Sequence, residues 1–285
     1  MGGGGNFYER DTTDGYRRSA RGHSAKAEEI MSRTEADPGV LPKGRRVTSN
    51  AKSPVVYAFD VTGSMDRLPL IITDKMPLMA GQVTENGYLC DPEICLAAIG
   101  DVECDRAPIQ VGDFTQIKRL DDWLKRLWRE QGGGGNDVEG YEFMAYFFLH
   151  YCDIPLAETP FFLFTGDEWI RPTLYKSDLE RIFGGTHETV SAHEVFAALN
   201  RKFKGNVFLI HRHYGRDDAQ ALSLWQECIG DERIIRLGSD QSIADVTLGL
   251  FATVTGARTL DEYLDDMVHK RQKAQTDERI REVRK

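Results

Sequence analysis

The sequence predicts an α/β fold: a doubly wound, mostly parallel six-stranded sheet with helices on both faces. Three observations predict it. Six short apolar runs, at 55–59, 94–99, 108–111, 161–164, 207–210 and 233–237, have the length and composition of strands buried on both sides. Segments with helical spacing separate most of them, and strands joined through helices pair in parallel. A hydrophobic content of 41% with 10% aromatic residues supplies a core and excludes wholesale disorder.

Taken in order, residues 1–53 are rich in Gly, Arg, Ser and Thr and carry no sustained periodicity, so they read as a flexible N-terminal arm; only 25–34 hints at a short helix. The domain proper is expected over 54–256. Its first strand, 55–59, leads through Ser64 into a helix over 68–83, with a break or kink expected near Pro69 and Pro77. After the strands at 94–99 and 108–111, Ile117, Leu120, Leu124, Leu127 and Trp128 share one helical face. The glycine run 132–135 ends that helix. A helix over 138–151 is apolar almost all round and is expected deep in the core. Further helices are expected at 192–203, 217–228 and 241–254, between and after the last three strands. Residues 257–285 form a charged C-terminal helix and tail. Leu260, Leu264, Met267 and Val268 make a thin apolar stripe that docks at its start, with solvated chain beyond Gln275.

Charge narrows the function. The chain has 36 basic and 45 acidic residues, net −9. The arm holds ten basic and seven acidic residues and the tail eight and seven, leaving 18 and 31 in the body, a balance of −13. Such a body is unsuited to gripping a phosphate backbone, so no nucleic acid is expected for the core domain. Five cysteines without a CxxC pair read as free thiols in a reducing cytoplasm rather than a zinc or disulfide framework. The start MGGGGNFYERD signals neither export nor myristoylation, and no window approaches a membrane span. The expected location is cytoplasmic, without membrane contact.

In open parallel sheets, ligands sit beyond the carboxyl ends of the strands. After the first strand comes Asp60-Val61-Thr62-Gly63-Ser64, a carboxylate and two hydroxyls at alternate positions of a turn. After the fourth comes Thr165-Gly166-Asp167-Glu168. Hard oxygen donors of low total charge suit Mg²⁺. Between these segments, the loop from Gly132 through Asn136, Asp137 and Glu139 can approach closely because its glycines lack side chains.

Asp60-x-Thr62-x-Ser64 resembles the DxSxS signature of von Willebrand factor A (vWA) domains, with Thr for the first Ser. The resemblance extends over roughly 54–256. It takes in Ala98–Asp101, Asp105–Pro108, the glycine-rich loop with Asn136 and Glu139, and Thr165–Glu168, and looks like a little-characterised bacterial and phage group. It implies a Rossmann-like fold and a metal-ion-dependent adhesion site (MIDAS) holding Mg²⁺, or Mn²⁺ or Ca²⁺. Thr62 and Ser64 would bind directly, and Asp60 and Asp167 mainly through water. The family's usual Thr from the middle loop is missing, so Asn136, Asp137, Glu139 or water would take its place. A carboxylate there would weaken attraction for an acidic ligand. Asp101 and Glu139 would stand behind the ligands. The implied function is metal-dependent binding of a partner protein, whose acidic side chain completes the coordination. Similar domains often work with AAA+ ATPases of the MoxR kind or in larger assemblies.

Simpler readings exist for each feature. Asp60, Thr62 and Ser64 could be an N-cap cluster, which leaves Asp167 unexplained. The glycine run could be a plain loop, and His211 and His213 read as packing or surface residues. The enzymatic alternative is a haloacid dehalogenase-like, Mg²⁺-dependent phosphatase with Asp60 as nucleophile. Its later motifs occur in the wrong order here, and the supporting Lys is missing, so the chain is read as a non-enzyme.

Overall fold

Residues Ser53–Asp60, every one buried, form the strand on which the sheet is built. The computed structural model describes residues 33–130, 138–213 and 218–269. In chain order the strands are β1 (Val47–Thr48), β2 (Ser53–Asp60), β3 (Pro92–Ile99), β4 (Ile109–Val111), β5 (Cys152–Asp153), β6 (Phe161–Gly166), β7 (Thr173–Leu174), β8 (Val190–Ser191), β9 (Val207–Arg212) and β10 (Ile234–Leu237). The α-helices are α1 (Leu68–Glu85), α2 (Leu120–Leu124), α3 (Tyr141–His150), α4 (Lys176–Phe183), α5 (Ala192–Lys202), α6 (Asp218–Ile229) and α7 (Ile243–Val254). A last helix occupies 260–269.

The six expected strands are β2, β3, β4, β6, β9 and β10, and they form one sheet in the order β10-β9-β6-β2-β3-β4. All neighbours are parallel except β3 and β4. The chain therefore steps outward from β2 on one side, then returns to β6 and steps outward on the other. The order reverses between β2 and β6, and in open α/β sheets ligands bind beyond the carboxyl ends of the strands at such a point.

Side chains of β2 alternate between two cores, as the pleat requires. Val56 and Ala58 join a cluster with Tyr141, Phe147, Phe164, Phe196 and Trp225. Val55, Tyr57 and Phe59 join another with Leu68, Ile72, Met76, Leu248 and Phe251. Each such aromatic or branched side chain, fully buried, contributes about 1.5–3 kcal/mol.

Several sequence expectations need correction. The arm is not structureless to residue 53: β1 pairs with β5, and Val40 and Val47 are buried. Its segment 33–46 is strapped down by Arg126, which donates to both Asp37 carboxylate oxygens at 2.9 and 3.1 Å, and by Trp128 Nε1 donating to the Arg33 carbonyl at 2.7 Å. Residues 1–32 lie outside the described residues, as do 270–285 and the glycine run. α1 runs unbroken through Pro77, because Ile72, Met76, Met79 and Val83 pack into the core and outweigh one missing backbone bond. Pro69 sits in its first turn, where no hydrogen bond is lost. The helix expected to reach Trp128 stops at Leu124. There the buried Gln110 amide brackets the Trp128 backbone, accepting from its N–H at 2.8 Å and donating to its carbonyl at 2.7 Å. α3 begins at Tyr141 rather than 138, since Val138 bridges to Trp169 and Gly140 N–H donates to the Gly100 carbonyl. α4 and the small β7–β8 pair were not foreseen.

Candidate functional site

The turn after β2 closes on its own carboxylate. Asp60, the last residue of the strand, is fully buried. Its Oδ1 accepts from the Thr62 N–H at 2.8 Å and from Thr62 Oγ1 at 2.6 Å. Its Oδ2 accepts from the Tyr141 hydroxyl at 2.7 Å. Thr62 Oγ1 lies 3.3 Å from Ser64 Oγ, and Ser64 Oγ donates to Asp167 Oδ1 at 3.0 Å. Four expected residues from two strand ends thus form one continuous oxygen array. The N-cap explanation fails: α1 is preceded by Arg67, which makes no side-chain cap, and Ser64 faces Asp167 instead.

Two residues that hold this array were missed in the sequence. Tyr141 reaches Asp60 only because residue 166 is glycine: a Cβ there would sit 2.5 Å from Tyr141 Cζ and 2.7 Å from Cε1, and nearer still to the hydroxyl. Arg212, at the end of β9, donates through Nη1 to the Ser64 carbonyl at 2.8 Å and lies 3.7 Å from Asp167 Oδ2. Its Nε donates to Asp240 at 3.1 Å. The signal for Arg212 was its place at a strand end, between His211 and His213.

Behind the array lies a second acidic group. Asp101, Asp105 and Glu139 come from the loop after β3 and the segment before α3. Asp101 is buried, its Oδ1 accepting from the Glu103 N–H at 2.7 Å and lying 3.6 Å from Arg171. Asp105 Oδ2 accepts from the Asp101 N–H at 2.9 Å. Asp101 Oδ2, Glu139 Oε2 and Asp167 Oδ2 are buried without a hydrogen-bond partner. Asn136 and Asp137 lie outside the described residues.

So much buried carboxylate in one place raises its proton affinity. Burial is the leading cause throughout, and repulsion from Asp60 comes next at Asp167 and Glu139. Asp60 is raised by burial against the hydrogen bonds from Thr62 and Tyr141. Burial and then the Asp60 charge push Asp167 up to about 7. Burial followed by Asp60, Asp101 and Asp105 pushes Glu139 to about 11, and Asp105 rises to about 6. Further along α3, burial raises Glu142 to about 8, and its Oε1 has no partner.

The lip beside the array is reachable from solvent. Gly63, Asp66 and Arg67 are exposed, and Thr62, Ser64, Glu168 and Trp169 are half-buried. As an enzyme site it is poorly arranged. A nucleophilic aspartate needs an oxygen free to face its substrate, whereas both Asp60 oxygens are already hydrogen-bonded and the residue is sealed from solvent.

No family model matches the chain, and no curated protein matches it either. Among solved structures, it is similar to the pilus adhesin SpaC from Lactobacillus rhamnosus GG in its open conformation, with a TM-score of 0.47 and 8% identity over 77% of this chain and 33% of that one. It is also similar to the PilB minor pilin from Streptococcus sanguinis, with a TM-score of 0.41 and 12% identity over 75% of this chain and 63% of that one. The chain spans about a third of the adhesin's length. Likeness at this level assigns no function.

These findings correct the vWA reading. The expected membership finds no matching family model. Among the described residues, no three carboxylate, imidazole or thiol groups come together as a metal-holding cluster. The metal-ion-dependent adhesion site and metal-mediated partner recognition are therefore withdrawn, along with the MoxR-type ATPase partner. Physically, the Thr62 and Ser64 hydroxyls donate to Asp60 and Asp167.

Proposed function

We propose that this chain is a non-enzymatic binding protein that engages another protein or a surface through the carboxyl edge of its sheet. The observation that carries the reading is the array joining Asp60, Thr62, Ser64 and Asp167 across the point where strand order reverses. It is pinned from below by Tyr141 and from the side by Arg212, so the lip above it is rigid. A pre-organised rim costs little entropy to bind. Trp169, half-buried at that rim, belongs to the residue types that anchor interfaces. The two core clusters, which divide the β2 side chains, support helices packed doubly wound on both faces.

Mg²⁺ at Asp60, Thr62, Ser64 and Asp167 is a separate proposal, concerning what neutralises the carboxylates rather than how a partner is held. The donors are hard oxygens, and Asp167 Oδ2 lacks a hydrogen-bond donor, which suits such an ion. Calorimetric titration with Mg²⁺ should then give heat that Ser64→Ala diminishes; no heat from the wild type would reject it.

The edge reading is tested with Gly63→Arg. Gly63 is exposed, and a Cβ there meets nothing within 4 Å, so the variant is expected to cover the lip without disturbing the fold. Affinity capture from the native host with wild type and Gly63→Arg should yield a partner that the variant loses. If every partner of the wild type is retained, the edge is not the binding surface.

A further inference from the structure

The helix over 260–269 is built into the domain yet leaves an apolar stripe uncovered. A capping box starts it: Glu262 Oε2 accepts from the Thr259 N–H at 2.8 Å, and Thr259 Oγ1 accepts from the Glu262 N–H at 3.3 Å. Tyr263 anchors it. Its hydroxyl donates to the Asp245 carbonyl at 2.7 Å, and its ring stands edge-on to Tyr88 with centroids 6.4 Å apart. Gly249 makes the room, since a Cβ there would lie 2.8 Å from Tyr263 Cε1. Met267 packs against the same core.

Alongside this anchored face, Leu260, Leu264 and Val268 are 59%, 50% and 50% exposed. Residues spaced by four lie one above the other on a helix, so the three form a continuous stripe. Scattered exposed leucines are ordinary, but three in register on a capped, anchored helix match the spacing by which one helix receives another. One residue further round, Asp261 and Asp265 are exposed and pair with no described residue. Asp266 is different, being engaged by Arg258 at 3.3 Å.

We infer that this face docks an amphipathic helix of another protein, one whose apolar stripe is bordered by Lys or Arg. Leu260, Leu264 and Val268 receive the apolar residues, and Asp261 and Asp265 select the basic border. A second copy fits less well, because antiparallel pairing brings Asp261 and Asp265 against the same residues of its mate. The acidic border likewise disfavours an anionic lipid surface. This surface is distinct from the carboxyl edge and stands without it.

The probe is a fluorescent synthetic peptide of about 18 residues, five helical turns, with leucines on one face bordered by lysine and arginine. Its control replaces those basic residues with glutamate. Titrated against the full chain by anisotropy, the basic peptide should bind at least about tenfold more tightly than the acidic one. Leu264→Ser should weaken it about tenfold or more, and Asp261→Lys with Asp265→Lys should reverse the preference. These side chains are exposed, so circular dichroism should be unchanged. Equal binding of both peptides, or an unchanged preference in the lysine variant, overturns the inference. So does sedimentation showing a dimer of the chain alone that Leu264→Ser dissociates, which would assign the stripe to a second copy.

Discussion

Gly166→Ala should destabilise the protein far more than a single methyl group ordinarily does. The new Cβ would meet Tyr141 Cζ at 2.5 Å and Cε1 at 2.7 Å, well inside van der Waals contact. Tyr141 is fully buried between Phe164 and Trp225, with ring centroids 6.3 and 5.2 Å away, so it has no open space to retreat into. Overpacking of this kind costs about 1–3 kcal/mol. Displacing the ring also breaks the 2.7 Å bond from its hydroxyl to Asp60 Oδ2. A bond to a buried carboxylate is worth about 1.5–3 kcal/mol. Together the loss is about 2.5–6 kcal/mol, a large part of a stability of about 5–15 kcal/mol. Urea denaturation followed by far-ultraviolet circular dichroism measures it. Tyr141→Phe supplies the hydrogen-bond share alone, about 1.5–3 kcal/mol. Tyr141→Ala removes the obstructing ring, so adding Gly166→Ala to that background should cost under about 1 kcal/mol. A loss under about 1 kcal/mol in the wild type, or an equal loss in both backgrounds, refutes the wedge between Tyr141 and Gly166.

Stability should fall as pH rises through the range set by Glu142. Its carboxyl is raised by burial to about 8, so the folded state holds a proton that the unfolded chain releases near its ordinary value of 4.5. Stability from this group is complete below the unfolded value and drains at about 1.4 kcal/mol per pH unit up to the folded one. Glu142→Gln should flatten that slope in urea midpoints measured against pH; an unchanged slope rejects the assignment. Arg212→Gln should cost about 1–3 kcal/mol, because a buried Asp167 loses its cation and the Ser64 carbonyl its donor. A midpoint equal to the wild type's would show that the clamp is idle. Wild-type protein with Mg²⁺ and a generic phosphate ester should give no turnover, since Asp60 has no oxygen to spare. Turnover abolished by Asp60→Asn would restore the phosphatase alternative.

Much of the sheet was legible because its strands are short apolar runs, whose length and spacing local composition determines. Asp60, Thr62, Ser64 and Asp167 were legible too: each directly follows a strand, and parallel topology collects strand ends on one edge. The family likeness read from the same residues was not upheld, since a short motif specifies a turn without specifying what the turn binds. Elements decided by distant contacts were misjudged. Leu124 ends α2 because Gln110 claims the Trp128 backbone, and Val138 stays extended because Trp169 lies beside it. Segment 33–46 is held by Arg126 and Trp128, partners about ninety residues away. The chain alone determined which oxygens reach the edge of the sheet. Only the tertiary structure decided that they hydrogen-bond to one another, that Tyr141 fills the space left by Gly166, and that Arg212 holds the lip. Those relations depend on distances between residues remote in sequence, which no local pattern encodes.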